Sequence, residues 1–332
     1  MHPGDAVTRA ALAVALLAGC TSFPDPDIVV DLRVLAMAAE QPEQVVDVNL
    51  ADPETPAELA TQLVPTQVCA LIADPAFERR LRYTLTLCPY GDYYRCDADV
   101  RVPLASGTIA DPDTTSPEPT LCASVPAGQQ LLGVVLHTLK FDQLGGLGGI
   151  DYMIGLSIGG EDADPALDLF ASKALRVSPR IPAGRRANAN PSLTVGHELD
   201  ASVNRADAEP FVPRRCADAA PTLSVRAGDT VRFTPVEAAG AREDYVTPTL
   251  DGKGAMFTES LTYQWAASAG GFSSGSTGGP RDLAGNAAPL FTDWHAPNAR
   301  DLDGPTDVAV WVIQRDERYG VTWYEGCVRV AP

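Results

Sequence analysis

Residues 307–330 read DVAVWVIQR, DERYG, VTWYEGCVRV. Two runs rich in Val, Trp and Tyr flank a short polar turn, so 307–315 and 321–330 are expected to pair as a β-hairpin. Working back along the chain, Leu261, Tyr263 and Trp265 alternate with Thr262 and Gln264. Leu81, Tyr83, Leu85 and Leu87 alternate with Arg82, Thr84 and Thr86. A period of two places one face of each run against a core. Further strands are expected at 28–40, 66–73, 98–109, 120–125, 152–160 and 171–178. Leu223 and Val225 face one way, and a turn at 227–229 returns the chain through Val231 and Phe233. Residues 111–119 (acidic and Pro-rich) and 270–280 (rich in Gly, Ser and Pro) read as loops. One segment has the helical period instead. Leu132, Val135, Leu136 and Leu139 define a stripe over 129–144, ended by Gly145-Gly146, with His137 toward its polar flank. The stripe is expected to pack on a sheet.

The chain has 332 residues, with 28 Gly and 28 Pro, which fits two domains made of short strands and turns. Its formal net charge is −18. A surface that acidic repels phosphate backbones and disfavours peripheral docking on anionic headgroups, so no nucleic-acid partner is expected.

The N-terminus reads MHPGDAVTRAALAVALLAGC. The apolar run 10–19 is too short for the ~30 Å of a bilayer core and suits the apolar region of a secretory signal. Leu17-Ala18-Gly19-Cys20 resembles the lipobox of bacterial lipoproteins. That resemblance implies cleavage before Cys20 and fatty acylation, palmitate included, of its sulfur and amine. Thr21, in place of Asp, points by analogy to the outer membrane. Residues 1–19 are then a signal peptide, and 20–27 form a Pro-stiffened tether to the membrane partner.

Seven cysteines minus Cys20 leave six, an even number in an exported chain. Cys88 and Cys96 bracket a turn-like segment and can close it. Cys69 then pairs with Cys122 by exclusion, and Cys216 with Cys327 within the second half. Zinc is disfavoured because no CxxC or HxxxH spacing occurs.

AGDTVRF (227–233), YQW (263–265) and the last hairpin resemble the Ig-like and PKD-like modules of bacterial surface proteins. DLRVLAMAAEQPE (31–43) and LRYTLTLCP (81–89) look like uncharacterised two-domain lipoproteins frequent in myxobacteria. The fold these imply is mainly β, with two Ig-like β-sandwich domains, the first carrying an inserted helix. The first domain spans 28–180, the linker 181–192 and the second domain 193–332. Trp265 would be a core aromatic on a central strand.

Chemistry-bearing motifs are sparse. Gly271–Gly275 matches G-x-S-x-G around Ser273, with Asp293 and His295 nearby, but no helix-forming segment follows to make a nucleophile elbow. His197-Glu198 lacks the second histidine of HExxH. Asp301, Asp303 and Asp307 are a candidate Ca²⁺ cluster without the remaining ligand series of an EF-type loop. Glu161, Asp162 and Asp164 form another acidic turn. Residues 145–160 are glycine-dense but contain no dinucleotide-binding fingerprint. The expectation is a non-enzymatic, cofactor-free binding or structural module of the cell envelope, meeting an envelope protein or a glycan. The alternatives are a hydrolase of cell-wall or extracellular polymer, or a subunit of an envelope complex.

Overall fold

β4 (Leu81–Pro89) is an interior strand of the first unit. Leu81, Leu85 and Leu87 are buried on one face, as the alternation requires. β4 pairs antiparallel with β5 (Val102–Ile109) on one side and β7 (Ile150–Gly160) on the other. β8 (Leu169–Pro179) follows β7, and β2 (Glu43–Val46) closes the sheet parallel to β8. Across the core lies a three-stranded sheet of β1 (Arg33–Ala39), β3 (Thr66–Ala73) and β6 (Thr120–Val125), in that order. The structure, a computed structural model, describes residues 25–332 except 51, 53–55, 76–78, 92–95, 97–98, 110–119, 200–208 and 252. The expected signal peptide (1–19), Cys20, most of the expected tether and the expected 111–119 loop lie outside the described residues.

Two helices complete this core. α1 (Pro56–Gln62) buries Leu59, and α2 (Gln129–Leu139) buries Leu131, Leu132, Val134 and Val135. α2 stops before the glycine pair that was expected to end it. The chain tightens after Leu139, with Phe141 N–H donating to Thr138 O (3.0 Å) and Asp142 N–H to Leu139 O (3.1 Å). Gly146 serves the turn beyond, at φ 79°, donating to Asp142 Oδ2 (2.6 Å). A Cβ there would lie 2.7 Å from Leu50 Cβ, so only glycine fits.

The second unit has two five-stranded sheets. One runs β10 (Glu209–Pro210), β9 (Leu193–Leu199), β12 (Thr230–Glu237), β18 (Thr292–His295), β16 (Gly271–Phe272). The other runs β11 (Leu223–Arg226), β20 (Val321–Ala331), β19 (Thr306–Arg315), β15 (Thr262–Ala267), β17 (Ser276–Gly278). A separate hairpin, β13 (Asp244–Pro248) and β14 (Gly254–Thr258), is inserted between β12 and β15. The core holds Trp265, Trp294, Phe233 and Tyr263, all fully buried. Trp265 sits on β15 between β19 and β17, with its indole N–H donating to Thr277 Oγ1 (2.9 Å).

Both sandwiches use one strand plan. The first strand opens one sheet, and the chain then crosses to run parallel to the last strand in the other, β2 along β8 and β11 along β20. That crossing is the order of an Ig-type sandwich. It corrects two local expectations. The 227–229 turn does not make a hairpin: β11 joins one sheet and β12 the other, because alternation tells which face is buried but not which strand is the neighbour. The 270–280 loop contains β16 and β17, short edge strands that belong to opposite sheets.

The units meet sheet to sheet. β19 buries both faces. Val308, Val310 and Val312 enter the second core, while Ala309, Trp311 and Ile313 pack with Leu35, Ala36, Leu71 and Ala73 of the first unit. Beside this apolar seam lies a buried ionic hub. Arg318, in the β19–β20 turn, reaches Glu43 Oε2 at 2.8 Å, Glu259 Oε1 at 3.3 Å and Glu243 Oε2 at 3.4 Å. Glu43 also accepts from Ser178 Oγ (2.6 Å), Arg185 Nη2 (3.0 Å) and Asn188 N (3.0 Å). Burial pushes the Glu43 carboxyl up, but Ser178, Arg185 and Arg318 together outweigh it and hold the group below its usual range. Arg185 and Asn188 belong to the 181–192 connection, which is therefore partly buried in the junction.

Candidate functional site

On the side of the second sandwich away from β17, a groove of about 970 Å³ opens between β9 and β20. The segment after β10 crosses it. Phe211 N–H donates to Val195 O (2.8 Å), and Arg214 N–H donates to Glu325 O (2.8 Å), so this short stretch bridges the edges of the two sheets. The Phe211 ring fills the gap behind the groove, 5.1 Å from Phe233 and 6.0 Å from Tyr324 between centroids. Gly326 makes room for it, since a Cβ there would fall 2.0 Å from Phe211 Cε1.

The groove wall is mostly apolar, with Leu193, Val212, Pro213 and Trp323 among its residues. Polar capacity comes from β20. Among the described residues, the buried Tyr324 hydroxyl and Glu325 Oε2 have no hydrogen-bond partner. Glu325 Oε1 accepts from Trp323 Nε1 (3.1 Å). Burial raises the Glu325 carboxyl above its usual range, with Arg215 opposing. Arg215 is itself in a two-point pair with Asp218 (2.7 and 2.8 Å). Apolar walls with a few unsatisfied polar atoms suit a ligand that has an apolar body and hydrogen-bond donors. The sequence reading missed this groove, because its walls come from β9, the 210–218 segment and β20. The single legible signal was Glu325, the one charged residue of the VTWYEGCV run.

The motif residues behave differently. Ser273 Oγ accepts from Asp293 N (2.9 Å) and lies 3.3 Å from Thr292 Oγ1. His295 Nδ1 instead meets Thr230 Oγ1 (2.9 Å), and Asp293 is bound by Arg232 at 2.7 and 2.9 Å. Ser273 sits between two short strands, with no helix after it, so the G-x-S-x-G match is not a nucleophile elbow. Asp307 is paired with Arg329 (2.8 Å at both oxygens), and Asp301 accepts from Asn298 (3.1 Å). Asp303 lies in the turn between them. Among the described residues no group of three or more His, Cys, Asp or Glu is placed to hold a metal ion. Glu161 pairs with Arg80 (3.2 Å), and Asp164 caps a short 3₁₀ turn through Ala166 N (2.9 Å). His197 is 3.9 Å from Glu209 and edge-on to Phe211, and burial lowers its pKa.

The cysteines pair as expected: Cys69–Cys122, Cys88–Cys96 and Cys216–Cys327. Cys69 and Cys122 face each other directly across β3 and β6, with Cα atoms 4.0 Å apart. Among the described residues no helix is long and apolar enough to cross a membrane.

No family model matches the chain, and no curated protein matches it. Similar solved structures include one named BspA_C_WT, at 9% identity over 80% of this chain and 93% of that one, with a TM-score of 0.19. Another is the Streptococcus agalactiae AgI/II polypeptide BspA C terminal domain, at 9% identity, 80% and 93% coverage and a TM-score of 0.18. Likeness this low assigns no activity to the chain.

Proposed function

We propose that this protein is a lipoprotein of the cell envelope, held at the outer membrane by acyl chains on Cys20, and that it acts as a binding or structural module rather than an enzyme. The observation that carries this reading is the partition of its cysteines. All six beyond Cys20 are tied in disulfides, the pattern of an oxidising compartment, while the seventh ends an apolar leader. The groove at β9 and β20 supports the binding role, with an envelope protein or a glycan as the partner class. Several acyl chains, at ~0.8 kcal/mol per buried CH₂, give stable attachment where a single chain gives marginal binding.

Cell fractionation tests the anchor. Cys20→Ala is expected to move the protein from the membrane fraction to the soluble one. Full-length, unacylated polypeptide in the cytoplasm of wild-type cells would refute the reading.

A further inference from the structure

From Ser260 to Pro280 the chain has no Asp, Glu, Lys, Arg or His, although 20% of its residues are charged. This stretch builds β15, β16 and β17. The first described residues join the same edge. Ala267 N–H donates to Asp27 O (3.0 Å), and Val29 N–H donates to Ala267 O (2.8 Å). Ile28 packs against the second core, and Val29 is fully buried in the seam between the units. Arg33 fastens the segment further through Pro26 O. Coming from its amino-terminal side, the chain is therefore clipped to the second sandwich, in line with β17, before it enters the first. Asp25 is the first described residue, and Cys20 precedes it closely. At ~3.3–3.6 Å per extended residue, the intervening chain reaches at most about 18 Å.

We propose that the β15–β17 edge of the second sandwich, where the tether leaves, is the face this protein turns to the phospholipid headgroups of the leaflet that holds its acyl chains. The inference rests on the Cys20 anchor. A short tether leaving beside β17 keeps that edge near the bilayer. Residues 260–280 add no charge to that edge, and Asp27 and Arg315 beside them are of opposite sign, so it meets less of the repulsion that a −18 protein feels within a Debye length, ~8 Å at physiological salt. The opposite edge, at β10 and β11, lies four strand spacings away, roughly 19 Å at ~4.8 Å each. The groove at β9 and β20 is then held clear of the lipid.

The test uses the full, lipidated protein reconstituted in phosphatidylcholine vesicles that contain a headgroup-nitroxide lipid. Ser276→Cys, Ser274→Cys and Glu209→Cys are each labelled with a fluorescent maleimide without reductant, so the native disulfides stay closed. Labels at 276 and 274 are expected to be quenched at least twofold more than the label at 209. Vesicle flotation is read on the same samples. Flotation with equal or reversed quenching overturns the proposed face and leaves the anchor standing. Failure to float overturns the anchor and the proposal together. Agreement of the 274 and 276 labels guards against one variant disturbing β17.

Discussion

A single guanidinium, that of Arg318, serves three carboxylates, and the consequences differ for each. Glu43 has enough donors to stay ionised, whereas Glu259 does not. Burial pushes the Glu259 carboxyl up to about 7; Asp316 and Glu243 push the same way, and the Glu243 N–H and Arg318 oppose them. Between about pH 4.5 and 7, the folded chain holds a proton there that the unfolded chain has released. Stability from this group is therefore lost as pH rises through that window. Glu259→Gln is expected to remove that slope, a difference on the order of 2 kcal/mol between pH 5 and 7 in urea denaturation. An unchanged slope would mean that Arg318 keeps Glu259 ionised throughout. Lys173 behaves in the mirror sense. Burial lowers its ammonium to about 8, and Nζ donates to Tyr319 O in the same turn. Its contribution is recovered as pH rises above 8 toward its ordinary 10.5. None of this was legible in the sequence. Glu43, Arg185, Glu259 and Arg318 are spread over the chain as ordinary surface residue types, and only the fold gathers them.

At the scale of the element, β19 explains why the two units act together. Its VAVWVIQ run was read as one strand of a hairpin, and it is one, but it has no solvent face. An unbroken apolar run of strand length is the sequence sign of burial on both sides. Trp311→Ala is expected to cost about 3–5 kcal/mol. Because Trp311 lies in the seam rather than in either core, calorimetry should resolve two transitions in the variant where the wild type shows one. Trp265→Ala, at similar cost, should leave the seam coupled; a single transition in both variants would refute the assignment. The helix end was misread for a local reason. Gly145-Gly146 looks like a helix stop, but the chain leaves the helix at Leu139 and spends the glycines on the following turn.

For the whole molecule, the Cys216–Cys327 bond spans 111 residues and closes nearly the entire second sandwich. Replacing both cysteines with serine is expected to lower its stability by about 4–5 kcal/mol in the chain-entropy treatment, measured by denaturant unfolding of the oxidised proteins. A loss confined to the first unit would contradict this. The same scale separates what each source of information decides. Strand alternation, turn residues, the apolar leader and the number and division of the cysteines are local or countable properties. The sequence alone therefore determined a mainly β chain of two sandwiches, the helix in the first, and the three disulfides. Which sheet each strand joins, the burial of β19 on both faces, the hub on Arg318, the groove beside β20 and the clipping of residues 27–29 onto β15 were decided by tertiary structure. Each depends on residues far apart in the chain meeting across a packed interface, and a period of two fixes only which side of a strand is buried, not what lies against it.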